Sequence, residues 1–411
     1  MKSGEPWSSL FMAIVHVCQS DRSVSTRHAR PHATRRPMAA AIAAALALLS
    51  AAVSPGQTLR TRTVLSEGWF VKQLDAPNPD ISGLTRETAS PDKSWLSARM
   101  PAQVHDVLLQ HTAKGPVFLE FQGLDTLATA YLNGVEIGRF DDMYRQYRVE
   151  VGKHLAPART DNVLVSVFRS PVRYLAGFRP PPAHQGAIPP VRYLRKAPPD
   201  FTSYLGARPN FIKVGVFRDV VLDAPGPVWI DGVWVRSEVS PSFSHATLRA
   251  LAETSGGVGT LEYVLLDPSG NALARGKAES GKDFAIDVPE PKLWWPRMYG
   301  SQPLYRLTVS LTEGGRLLDS RQTNIGIREV KPMLKDAATG EDRFGFLVNG
   351  WPVYFRGGCW APIEHMSQCW LPDRARRLLD LAEHGRMNIL RVWGEGVEPP
   401  ACAPRIGLPC G

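Results

Sequence analysis

The chain has 411 residues, room for two or three separate cores. Its 44% hydrophobic and 21% charged content excludes a disordered or fibrous chain. The net charge of +9 is uneven: residues 1–52 hold six basic and two acidic side chains, leaving +5 of it for everything that follows. No run of Lys and Arg with interleaved aromatics occurs, which argues against a nucleic-acid partner.

Near the start, Arg27, Arg30, Arg35 and Arg36 precede an Ala/Leu/Ile run from Met38 to Val53. The run is shorter than the roughly 20 residues of a bilayer span, and Ser50-Ala51-Ala52 is a small-residue cleavage context. This predicts an export signal cut near Ala52, a periplasmic or extracellular mature protein and no stable membrane span. A membrane anchor or a surface helix is the alternative. Residues 1–26 yield no element of their own, as from a start codon placed too early. Cysteine usage agrees with export without demanding it. None occurs from Gln19 to Gly358, and Cys359, Cys369, Cys402 and Cys410 lack metal-ligand spacing.

Residues 58–224 alternate in short runs broken by Gly, Pro and Asn-Gly, the pattern of an antiparallel sandwich. Glu67 to Val71 reads as its first strand, Phe118 to Thr126 and Ala128 to Gly138 as a central hairpin turning at Asn133-Gly134, and Asn162 to Val167 as a later strand. Arg179 to Pro209 is proline-rich without a period and reads as a long ordered loop, and Val214 to Leu222 as a closing strand. Residues 226–330 are a second all-β unit of immunoglobulin-like size, with strands over 231–237, 246–252, 261–266 and 304–311.

Residues 331–411 change period. Leu347 to Trp360 reads as strand, Asn349-Gly350 turn and second apolar strand closed by Gly357-Gly358. Asp373 to His384 is helical, with Ala375, Leu378, Leu379 and Ala382 on one face, and Met387 to Gly394 is a buried-type strand. Strand, helix and parallel strand is the opening of an α/β barrel, whose function sits at the C-terminal strand ends. Past Val397, Pro399, Pro400, Pro404 and Pro409 forbid the next helix.

The segments Asn349-Gly350-Trp351-Pro352-Val353…Arg356-Gly357…Trp360 and Met387-Asn388-Ile389-Leu390-Arg391-Val392-Trp393-Gly394 resemble glycoside hydrolase family 2. So do Trp95 with Val104-His105, Trp294-Trp295-Pro296…Leu304-Tyr305, and Gly326-Ile327-Arg328-Glu329, in the family's order. The resemblance implies a multidomain, mainly β protein: a galactose-binding-like (jelly-roll) β-sandwich, an immunoglobulin-like β-sandwich, then the start of a (β/α)8 TIM barrel. It further implies hydrolysis of a terminal β-mannoside or β-glucosaminide by the retaining mechanism, an oligosaccharide or glycoside as the partner, and no cofactor or metal. Relatives carry a stretch and a strand between Leu109 and Phe118 that this chain skips, so one sandwich strand is expected to be lost.

Retaining glycosidases need two carboxylates about 5–5.5 Å apart, which the family places after the fourth and seventh barrel strands. No Asn-Glu pair of the acid/base type occurs in the sequence, so no catalytic residue is assigned and the chain is expected to be inactive. Glu364 and Glu395 follow the first two strands but read as solvated loop carboxylates. The substrate-binding residues that the resemblance implies are Trp360, Glu364, Arg391 and Trp393: an aromatic platform, a cation, and an acid where relatives have Asp. The plainer alternative makes Trp393 barrel core and Arg391 an ion-pair partner. A non-catalytic carbohydrate-binding or scaffolding fragment is the rival reading of the whole, and a polysaccharide-adhesion protein a third, which requires exposed aromatics on a sandwich face.

Overall fold

The computed structural model describes residues 11–17, 60–65, 69–74, 80–87, 96–98, 115–156, 162–179, 181–182, 193–196, 213–257, 259–336, 339–360, 363 and 371–392. The signal-like run, the 101–112 segment, most of the proline-rich loop, Glu364, Trp393, Glu395 and the late prolines lie outside them.

The first sandwich is built from β1 (Phe11–Val17), β2 (Thr61–Leu65), β3 (Trp69–Leu74), α1 (Ile81–Glu87), β4 (Leu96–Ala98), β5 (Phe118–Phe121), β6 (Leu124–Asp125), β7 (Ala128–Leu132), β8 (Val135–Phe140), β9 (Tyr147–Glu150), β10 (Val163–Phe168), α2 (Pro171–Leu175), β11 (Gly215–Val216) and β12 (Val220–Ala224). One sheet runs β4-β3-β1-β10-β7-β8, the other β2-β12-β5-β9, with β11 paired to β6. Period-two alternation explains the layers: Leu119 and Phe121 of β5 point inward to meet Leu132, Leu164 and Phe168. Phe140 packs on Phe121 and Tyr147 at centroid distances of 5.2 and 4.6 Å. Asn133 and Gly134 both have positive φ, 52° and 84°, as the hairpin turn between β7 and β8 requires.

Three expectations change here. The sandwich does not begin at Glu67, because β2 precedes it and residues 11–17, given no element from sequence, form β1. That strand lies antiparallel between β3 and β10, with Ile14 opposite both Val71 and Ser166, so a segment from ahead of the signal-like run occupies an interior place in the sheet. Finally, Val214 to Leu222 is two short strands in different sheets. The chain crosses between them at Arg218-Asp219, where Phe217 N–H bonds Gly123 O and Gln122 N–H bonds Asp219 O.

The second sandwich comprises β13 (Trp229–Val239), β14 (His245–Ser255), β15 (Thr260–Leu266), β16 (Ala272–Ala278), β17 (Asp283–Pro289), β18 (Tyr305–Glu313) and β19 (Arg316–Ile325), in sheets β13-β14-β17 and β16-β15-β18-β19. Its own core sets Ala246, Leu248, Ala250 and Ala252 of β14 against Leu261, Leu265, Leu307, Val309 and Leu311. Sequence reading missed β16, β17 and β19: β17 does carry a period-two signal, with Phe284, Ile286 and Val288 facing the core, whereas β16 has no fully buried side chain and β19 is mostly polar.

The chain then forms an antiparallel meander, β20 (Val330–Lys335), β21 (Asp342–Val348) and β22 (Trp351–Val353), followed by β23 (Gly357–Trp360), α3 (Pro372–His384) and β24 (Ile389–Val392). β23 and β24 pair in parallel across α3, the expected strand, helix, strand order. The Asn349-Gly350 hairpin, however, belongs to the meander and stands apart from β23. Pro372 opens α3, Ala375, Leu379 and Ala382 are its buried face, and Arg386 at φ 54° ends it. No helix among the described residues is long and apolar enough to cross a membrane.

Candidate functional site

At the C-terminal ends of β23 and β24 the register pairs Cys359 with Arg391 and Trp360 with Val392. Side chains alternate along a strand, so Arg391 shares a face with Cys359, whose Sγ lies 3.7 Å from Arg391 Nη1. Trp360 falls on the opposite face, beside Val392, which separates two residues that the sequence reading grouped into one pocket. Arg391 is exposed and Trp360 half-buried. Glu364 and Trp393 lie outside the described residues. What the described part offers is an exposed cation at a parallel strand end, able to orient a carboxylate or hydroxyls.

Two asparagines from the quoted motifs brace the backbone that leads into these strands. The Asn388 side chain accepts from Arg356 N–H at 2.7 Å and donates to Tyr354 O at 3.0 Å, and its own backbone N–H bonds Arg356 O. It thereby ties the entry of β24 to the approach of β23. Asn349 accepts from Glu329 N–H at 2.9 Å and donates to Trp294 O at 3.0 Å, while its backbone N–H reaches Glu329 O. Both are 2% exposed. Asn349 therefore brackets the hairpin turn to the exit of the second sandwich and to the Trp294-Trp295-Pro296 segment. Beyond that segment Arg297 pairs with Glu383 of α3, and Tyr354 N–H donates to the Tyr299 hydroxyl at 2.8 Å. Sequence reading found both motifs but not these roles, because an Asn-Gly pair announces backbone conformation and says nothing of what the amide reaches.

The strongest electrostatic assembly lies between the sandwiches. Arg60 donates to both Asp223 oxygens at 2.8 and 2.7 Å, to Ile230 O at 2.9 Å and to Asp319 at 3.2 Å. Arg148 donates to Asp223 at 2.8 Å and lies 3.6 Å from the Phe118 ring centroid. Burial alone would raise the Asp223 carboxyl, but the bonds and charges of Arg60, Arg148 and Arg62 hold it below the usual carboxylate range. A second buried pair anchors the proline-rich loop. Lys196 Nζ donates to Asp125 at 2.5 Å and to Lys213 O at 2.6 Å, and burial pushes its ammonium below the ordinary lysine value against the pull of Asp125. Among the described residues no cluster of His, Cys, Asp and Glu could hold a metal ion.

Residues 110–218 match the family model described as glycosyl hydrolase 2 galactose-binding domain-like, and residues 228–328 match glycosyl hydrolases family 2. Among curated proteins, the chain is 30% identical over 300 residues to β-mannosidase B of Aspergillus terreus, covering 69% of this chain and 34% of that protein. To β-mannosidase B of Aspergillus oryzae it is 31% identical over 316 residues, covering 74% and 36%. Among solved structures, a β-D-mannosidase from Dictyoglomus thermophilum superposes with TM-score 0.62 at 24% identity, over 74% of this chain and 38% of that one. A β-glucuronidase from Ruminococcus gnavus gives 0.59 at 17%, over 87% and 61%, a likeness of fold. The chain thus spans about a third of the length of those curated relatives. With two consecutive sandwiches that match the family's models, in the family's order, the chain belongs to glycoside hydrolase family 2.

Proposed function

We propose that this chain is the sandwich-bearing part of a β-mannosidase-type exo-glycosidase. Its units are 58–224, 226–330 and 331–411, the last being the start of a TIM barrel. The observation that carries the reading is the parallel pairing of Gly357–Trp360 with Ile389–Val392 through α3, directly after sandwiches related to β-mannosidase B. In this reading Arg391, with Trp393 and Glu364, orients a terminal β-mannoside at the strand ends, Trp360 stays on the other face of β23 as a packing residue, and the partner is an oligosaccharide. β-Glucosaminide is the second substrate class that the sequence resemblance allows.

This polypeptide binds sugar without turning it over. Double displacement requires a nucleophile and an acid/base carboxylate, and the sequence has no Asn-Glu pair to supply the latter. The purified chain should release no p-nitrophenol from the aryl β-mannoside or β-glucosaminide, while methyl β-mannoside should show saturation-transfer NMR signals that weaken in Arg391→Ala. Release that disappears in a Glu364→Gln, Glu395→Gln double variant would overturn the inactivity and make that pair the catalytic one. Absence of mannoside signals in the parent chain would overturn the binding.

The reading includes export, supported by the arginines and apolar run ahead of Ala52. Cleavage there would also remove Phe11–Val17 and open the sheet between β3 and β10. N-terminal sequencing of the secreted protein tests export directly.

A further inference from the structure

The outer face of the second sandwich carries a surface that the strand-end residues do not account for. β13 is an edge strand of its sheet, and Trp234 on it is 53% exposed, whereas Trp69, Trp229 and Trp294 are all buried. Two residues earlier, on the same side of the strand, is Gly232. A Cβ there would come within 2.6 Å of the Trp234 Cη2 atom and 2.9 Å of Cζ2. The six-membered ring of the indole therefore lies down on glycine backbone, one face covered and the other turned to water. Any larger residue at position 232 would lift it. Beyond the ring the register sets Arg236 opposite Arg249, and both guanidinium groups approach Glu238, at 3.4 and 3.2 Å.

We propose that this face binds a neutral saccharide chain, with one pyranose stacked on Trp234 and hydroxyls of the adjoining unit held by Arg236, Glu238 and Arg249. The negative π-face of an indole attracts the C–H face of a sugar ring, and a flat, seated indole loses little freedom on stacking. Interleaved donors and acceptors suit vicinal hydroxyls. The same interleaving leaves no single-sign field for a polyanion, and one exposed indole falls far short of the surface that a stable protein interface buries. Because Trp234 is on a different element from Trp360 and Arg391, the inference goes beyond the proposed activity and does not require it.

Affinity electrophoresis of the full chain through gels containing glucomannan, galactomannan or hydroxyethylcellulose tests this, with titration calorimetry on β-1,4-linked mannotetraose and cellotetraose. At least one polymer should retard the parent chain. Trp234→Ala should weaken binding about five- to tenfold, and Lys277→Ala, an exposed change on the other sheet, should leave it unchanged. Gly232→Val, which keeps the indole but removes its seat, should lose most of the retardation at an unchanged melting temperature. Retardation equal in Trp234→Ala and the parent, or absent for every polymer, would overturn the proposal. Retardation lost in Arg391→Ala alone would assign all binding to the strand ends, which sinks this inference and leaves the proposed function standing.

Discussion

Asn349 shows how much one side chain can decide. Its amide completes backbone pairings that no strand neighbour supplies, and its φ of 49° lies where asparagine is better tolerated than alanine. Asn349→Ala should strand the Glu329 N–H and the Trp294 carbonyl, at about 1–3 kcal/mol for each buried group left unmatched. Asn349→Asp keeps the acceptor but sets a charged second oxygen against the Trp294 carbonyl in a buried site, so at neutral pH its chemical denaturation midpoint should fall at least as far as that of the alanine variant. A parent-like midpoint in Asn349→Ala would mean that the bracket contributes nothing. At this scale the sequence exposed the turn and concealed the bracket. It likewise named Arg391 and Trp360 correctly as strand-end residues but grouped them, because motif spacing does not reveal which face each takes once Cys359 and Arg391 are in register.

Among elements, what could be read in advance was whatever had strong local chemistry. Two Asn-Gly hairpins, the Pro-initiated amphipathic α3, the alternating Ala/Leu strand β14 and the Leu/Val-containing strands β15 and β18 are visible in their own residues. Strands such as β16 and β19 are not, because tertiary pairing imposes them on segments with little apolar periodicity. β1 is the extreme case: the pairing of Phe11–Val17 with β3 and β10 joins segments far apart in sequence, and nothing local announces it. A form lacking residues 1–52 would have the facing edges of β3 and β10 unpaired in the middle of a sheet. Its thermal transition should move down by many degrees and its solubility should drop. An unchanged transition would mean that the sandwich does not depend on β1.

At the scale of the molecule, the junction between the sandwiches makes stability depend on acid in one direction. The Asp223 carboxyl is depressed in the fold, so its contribution is complete above the unfolded carboxylate range near pH 4 and is lost as pH falls through the lower folded value. Asp223→Asn, which leaves Arg60 without its main partner, should cost about 3–5 kcal/mol at pH 7. The gap between variant and parent should narrow as pH falls below 4, in melts taken across a pH series. A gap independent of pH would assign the loss to packing instead of charge.

Arg60 bonds Asp319 across 259 residues of sequence, together with groups 163 and 170 residues away. Such a contact cannot assist the early steps of folding, because the chain must give up loop-closure entropy before the contact returns anything. The two sandwiches, each with its own core, are thus free to form independently, and the arginine can latch them only after both exist. The latch then works in the opposite sense during unfolding: whichever sandwich opens first must break the shared ion pairs, and its neighbour loses them at the same moment. A connection that contributes nothing to the speed of folding in this way couples the lifetimes of two otherwise separate cores.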